Sequence, residues 1–195
     1  MLIDSHCHLD RLDLTSYEGD LSTALQAARA KGVSRFLCVS IDMNNVTEVI
    51  RIAQTYQDVY ASVGVHPLNA DTKMPTNDEL LALANHDKVI AIGETGLDYY
   101  YNKETLALQK KSFIQHLQVS QQTGLPTIVH TRDAKEDTLS LLREYSDPDI
   151  GGVLHCFTED LDMALKAIDM NFYISFSGIV TFKNAAALKD IAKQL

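Results

Sequence analysis

The chain is poor in cysteine, in positive charge and in long apolar runs, and each shortage excludes something. Three cysteines, Cys7, Cys38 and Cys156, are scattered through 195 residues. They lie in or beside apolar runs, so they read as reduced, buried thiols and not as a disulfide framework. Seventeen Lys and Arg face twenty-six Asp and Glu, a formal net charge of −9. That argues against long, sequence-independent gripping of nucleic acid, which needs many phosphate contacts. It leaves room for a small site whose positive charge is a metal ion. No run is long enough to span a bilayer, and the start carries no basic segment followed by an apolar one. The expectation is a cytoplasmic protein with no membrane association. Low-complexity stretches and linkers are missing too, so residues 1–195 read as one domain with a single sizeable core.

What is present is alternation. Short runs, rich in Val and Ile and too short for helices, recur at Leu2–Ser5, Val33–Ile41, Val59–Val65, Lys88–Gly93, Thr127–His130, Gly152–Cys156 and Phe172–Ser177; they predict strands. Between them the period changes to that of a helix. Leu21, Ala24, Leu25 and Ala28 fall at i, i+3, i+4, i+7, and Val46, Val49, Ile50 and Ala53 repeat the spacing. Thr76-x-x-Glu79 offers a capping box. A long helix is predicted over Lys103–Thr123, stopped by Gly124 and Pro126. Seven such β-α units imply a parallel α/β sheet. A doubly wound open sheet and a TIM-type (β/α)8 barrel compete for it.

The polar residues favour the barrel. His6 and His8 end the first run, and alternation puts both on one face with Cys7 on the other. His66 ends the third run, Glu94 the fourth, His130 the fifth and His155 the sixth. Active sites of parallel α/β folds are built at the C-terminal ends of strands. Strands spread this far across an open sheet would not meet at one point, whereas in a closed wall they would. His6, His8, Glu94, His130 and His155 form a nitrogen-plus-carboxylate set suited to zinc, manganese, iron or similar ions. The set exceeds one closed structural site and fits one or two divalent ions, with Glu94 bridging and positions left for water. His66 could orient a phosphate or shuttle a proton, or could be a hydrogen-bond partner behind the ligands. Arg132 could hold a phosphate bidentately or pair with Asp133 or Asp137. Tyr99, with Tyr100 and Tyr101, could stack on bases or pack within its own loop. His86 and His116 fall in helical segments and read as solvated or partly packed side chains.

The motifs Asp4-Ser5-His6-Cys7-His8-Leu9-Asp10, Gly64-Val65-His66-Pro67, Gly93-Glu94-Thr95-Gly96-Leu97-Asp98-Tyr99, His130-Thr131-Arg132-Asp133-Ala134 and His155-Cys156-Phe157 resemble the TatD family of metal-dependent hydrolases, its YcfH-like branch most nearly. The resemblance implies a barrel of the amidohydrolase type. It implies His6, His8, Glu94, His130 and His155 as metal ligands, Glu94 in the bridging place, and hydrolysis of phosphodiesters at DNA ends by a 3′-to-5′ exonuclease using metal-activated water. On the reading of the residues themselves, His66 and Glu94 are the expected catalytic residues and Arg132 and Tyr99 the expected substrate contacts. Against the roughly 250 residues of a barrel, about seven β-α units are expected here. A last unit bearing a Glu-Thr-Asp motif would lie outside the sequence, and the full-length protein is expected to be a monomer. A metallohydrolase of a small-molecule amide, ester or lactone is the alternative, as is a non-catalytic metal-binding protein should the chain be complete.

Overall fold

Each apolar run becomes a strand, and each strand pairs in parallel with the one before it. A computed structural model describes all residues, 1–195. The strands are β1 (Leu2–Cys7), β2 (Val33–Cys38), β3 (Val59–Val63), β4 (Val89–Asp98), β5 (Thr127–Arg132), β6 (Gly152–His155) and β7 (Phe172–Ile174). Their spatial order is their chain order. The helices between and after them are α1 (Leu21–Ala30), α2 (Val46–Thr55), α3 (Asn77–Ala84), α4 (Leu106–Thr123), α5 (Lys135–Tyr145), α6 (Leu161–Asp169) and α7 (Ala186–Gln194).

Unbroken sequential order decides between the two candidate folds. A doubly wound sheet reverses direction at a switch point; here every crossover steps the same way. The wall is also strongly curved. The rings of His6 on β1 and His155 on β6 stack with centroids 3.4 Å apart. In a flat sheet, strands five places apart would be separated by roughly 24 Å, at about 4.8 Å per strand. The architecture is therefore a barrel wall of seven β-α units. β1 and β7 do not pair with each other.

Local signals place the helices. Thr76 accepts from the Glu79 amide at 3.2 Å while Glu79 accepts from the Thr76 amide at 2.8 Å, the reciprocal capping box that opens α3. Asp20 and Asp160 cap α1 and α6 in the same sense. Gly124 closes α4 in the left-handed conformation, φ +70°. Their apolar faces pack on the outside of the wall in two clusters. One of 17 buried residues joins α1 to α3 with β2 to β4, and one of 14 joins α4 to α7 with β5 to β7. Fully buried side chains such as Phe113, Leu117, Leu142 and Met163 each contribute about 2–3 kcal/mol of burial free energy.

β4 corrects the expected boundaries. It does not stop at Gly93 but runs to Asp98, so Glu94 lies within the strand and not after it. The pairing with β5 shifts between Ile92 and Thr95, then resumes with Gly96 opposite His130 and Asp98 opposite Arg132. Glycine makes this possible. A Cβ at Gly96, whose φ is +133°, would overlap the His130 carbonyl, and one at Gly64 would overlap the Gly93 backbone. Only the bare backbone lets β3, β4 and β5 approach this closely.

Candidate metal centre

Glu94 is the centre of the site. It is 4 % exposed, and its two oxygens face different imidazoles. Oε2 lies 3.2 Å from His6 Nε2. Oε1 lies 3.5 Å from His130 Nδ1 and 3.7 Å from His66 Nε2. Two groups share the carboxylate: His6, Glu94 and His155 on one side, and His66, Glu94 and His130 on the other. Within each group, ligand-type atoms lie within 4.8 Å of one another. The Glu94 amide donates to the Ser40 carbonyl, which fixes the height of the carboxylate inside the wall. His130 and His155 occupy one rung as register partners on β5 and β6.

The hydrogen bonds sort the histidines by the nitrogen left free. His8 donates Nδ1–H to the Val39 carbonyl at 3.0 Å, which leaves Nε2 with a lone pair. His66 does the reverse. Its Nδ1 accepts the Leu68 amide at 3.2 Å, so the proton of the neutral ring sits on Nε2, toward Glu94. A nitrogen that carries a proton is a donor and not a metal ligand. Burial pushes His66 down to about 4, and the Glu94 charge does not restore it, so the ring is neutral at pH 7. His155 is likewise pushed down to about 4, by burial and then by His6. Neutral imidazole is the ligating form. For Glu94, burial acts to raise the carboxyl, and the His130 and His6 imidazoles outweigh it, holding it well below the usual range. On His130, burial disfavours charge, and the Glu94 and Asp98 carboxylates overcome it, so its pKa rises.

One atom tests whether a cation fits. His6 Nε2 is buried and has no hydrogen-bond partner, despite its approach to Glu94. An orphaned imidazole nitrogen facing a buried carboxylate, its ring stacked within 6° of the neutral His155 imidazole, is a nitrogen-and-oxygen donor set suited to a divalent ion.

Of the residues singled out in the sequence, the structure brings His6, His66, Glu94, His130 and His155 together. His8 sits beside them, its ring centroid 5.2 Å from that of His6, outside both three-residue groups. Arg132 lies one rung above His130 on the same face of β5. It makes no ion pair with Asp133 or Asp137; its guanidinium lies over the Tyr100 ring at 4.9 Å, and its Nε is buried without a partner. Tyr99 donates its hydroxyl to Asp137 at 2.6 Å and packs in the second cluster, whereas Tyr100 and Tyr101 are exposed. His116 was expected to be solvated or partly packed and is instead fully buried. Its Nε2 accepts the Val65 amide and its Nδ1 donates to the Ser112 carbonyl, tying α4 to the segment that carries His66. Sequence reasoning passed over Asp98, which is completely buried and 2.9 Å from His130 Nε2. Its signal was the period of two: Glu94, Gly96 and Asp98 share one face once the strand is known to continue.

A sequence profile described as TatD related DNase matches residues 3–195. The chain belongs to the TatD family. The metal-dependent hydrolase YcfH of Escherichia coli K12, itself described as uncharacterized, is 48 % identical over 192 residues, covering 98 % of this chain and 72 % of that protein. YabD of Bacillus subtilis 168, described in the same words, is 38 % identical and covers 100 % and 76 %. A 3′-5′ ssDNA/RNA exonuclease TatD of Salmonella typhimurium is 33 % identical over 172 residues, covering 87 % and 66 %. Among solved structures, the TatD homologue YjjV of Escherichia coli K12 superposes with a TM-score of 0.87 at 26 % identity, covering 99 % of this chain and 74 % of that one. Family and fold agree with the geometry: a barrel wall carrying the site of a metal-dependent hydrolase.

Proposed function

We propose that this TatD-family protein hydrolyses phosphodiester bonds at the ends of DNA strands, as a 3′-to-5′ exonuclease. One observation carries the reading: a single buried carboxylate with one oxygen toward each of two imidazole groups, at the C-terminal rim of the wall. His6, His8, Glu94, His130 and His155 would hold the ions. One or two divalent ions bound there would acidify water and bear charge that develops on a phosphoryl group.

The chain's own residues supply the rest. Neutral His66 carries its proton on Nε2, on the side of Glu94, and would donate a hydrogen bond from it to a phosphoryl oxygen, its ring held by the Leu68 amide. Arg132, one rung above His130, has an unpartnered Nε for a phosphate oxygen. Tyr99 anchors its loop to α5 through Asp137, and the exposed Tyr100 and Tyr101 rings offer faces to terminal bases. A strand end needs few contacts, which is compatible with the net charge of −9. The names of the family and of the Salmonella relative support the substrate class.

The test is a substrate panel with added Mg²⁺, Mn²⁺ or Zn²⁺: end-labelled single strands of DNA and RNA, bis-nitrophenyl phosphate, and aryl amides and lactones. Stepwise shortening from the 3′ end is expected. Turnover of amides or lactones alone would overturn the phosphodiesterase reading in favour of a small-molecule hydrolase.

A further inference from the structure

We propose that Asp98 is a positioning residue that sets the tautomer of His130, so that Nδ1 is the nitrogen presented to the ion. This rests on the metal-centre reading above. Asp98 lies inside the wall with every polar atom engaged. Its Oδ2 is 2.9 Å from His130 Nε2. Its Oδ1 accepts the amides of Tyr100 at 3.0 Å and Tyr101 at 2.8 Å. Its own amide donates to Gln109 Oε1, and its carbonyl accepts from Gln109 Nε2, so α4 grips the backbone at this point. Both ring nitrogens face carboxylates, which can only accept. The contact to Asp98 is the hydrogen bond, 2.9 Å against 3.5 Å to Glu94, so the proton of the neutral ring sits on Nε2. The Nδ1 lone pair is left on the side of Glu94, where an ion would neutralise the two. A carboxylate behind a ligating histidine fixes ring orientation and raises basicity.

The same network makes an amide the wrong replacement in a specific way. In Asp98→Asn, two backbone N–H groups still need the side-chain oxygen, so the new NH2 must turn toward His130 Nε2. That nitrogen then has to accept, its proton moves to Nδ1, and the lone pair meant for the ion is blocked. In Asp98→Ala the His130 tautomer is free, but the amides of Tyr100 and Tyr101 lose their acceptor. The two variants should therefore rank in opposite order for folding and for metal binding. Asp98→Ala is the less stable; Asp98→Asn is the weaker binder, by about 10- to 100-fold relative to the unaltered chain. A purely structural role would place Asp98→Ala lower on both scales.

The experiment has a metal-free arm and a metal arm. Two-bond 1H–15N imidazole spectra of the metal-free protein, recorded at alkaline pH so that His130 carries a single proton, and with His130 assigned by its absence in His130→Gln, read the tautomer directly. Expected are Nε2–H in the unaltered chain and Nδ1–H in Asp98→Asn. Competition with a chromophoric chelator then gives Zn²⁺ affinity, and urea unfolding gives stability. Nδ1–H in the unaltered chain, unweakened Zn²⁺ binding by Asp98→Asn, or weaker binding by Asp98→Ala than by Asp98→Asn would each overturn the proposal. Failure of the unaltered chain to take up Zn²⁺ at all would overturn the metal-centre reading itself, a result distinguishable because the tautomer is read without metal.

Discussion

The outside and the inside of the barrel wall are built differently. Outside, between strands and helices, two clusters of 17 and 14 buried residues form continuous apolar layers. Inside, the buried apolar cluster has three members, Val39, Ala91 and Ile128, with half-buried Leu37 and Val153 against it. Next to these lies a cleft of about 590 Å³ lined by Ile90, Ile128, Val153 and Tyr173 and reaching His6 and His155. Ile3 on β1 and Tyr173 on β7 are 58 % and 78 % exposed. Stability is concentrated in the outer layer, and the inner face carries the chemistry. Specific hydrogen bonds hold His8, His66 and Asp98 there, while His6 Nε2 is left without a partner.

The largest effect should come from emptying the outer layer. Phe113→Ala removes a completely buried ring between α4 and the wall and should cost about 3–5 kcal/mol in urea unfolding. A loss below about 1 kcal/mol would mean that the contrast between the layers is false. Next, Glu94→Gln should reduce hydrolysis and metal uptake by about 10²-fold or more, while shifting the urea midpoint of the metal-free protein little, because removing a buried charge offsets the lost contacts. A large stability loss without loss of metal would reverse the assignment of roles.

His116 sharpens the comparison through pH. Burial pushes it down to about 4, and the unfolded ring titrates near 6.5. Between these values the unfolded chain binds a proton that the folded chain refuses, so the contribution is complete above pH 6.5 and is lost as pH falls toward 4. The expected loss is about 2–3 kcal/mol by pH 4.5. His116→Gln, which keeps a donor and an acceptor, should flatten that part of the metal-free stability profile; an unchanged profile would show that His116 is not buried in its neutral form. The smallest effect should come from the open inner face. Tyr173→Ser, at a ring 78 % exposed, should change stability by less than about 0.5 kcal/mol. A cost of several kcal/mol would show that this face is covered in solution.

Much of the fold was legible because its signals are local. Apolar runs, helical spacing, the Thr76–Glu79 box and Gly124 need only neighbours in sequence, and each marks an element that forms, although β2 and β7 stop three residues short of their runs and α4 starts at Leu106 rather than Lys103. Alternation alone assigned His6 and His8 to one face. The end of β4 was not legible, because Gly93 and Gly96 read locally as a stop. The strand continues only because β5 pairs with Thr95–Asp98 and glycine tolerates the close approach. The burial of His116 escaped for a similar reason: what holds it is the Val65 amide, fifty-one residues away.

The sequence by itself determined that seven parallel β-α units form and that imidazoles and one carboxylate gather at their C-terminal ends. It did so because residue type and period are properties of a few adjacent positions. Only the tertiary structure decided which nitrogen each histidine keeps free, that Glu94 turns one oxygen to each group, and that Asp98 stands behind His130. A proton's place on an imidazole is set by the atom across from it, and that atom belongs to another strand.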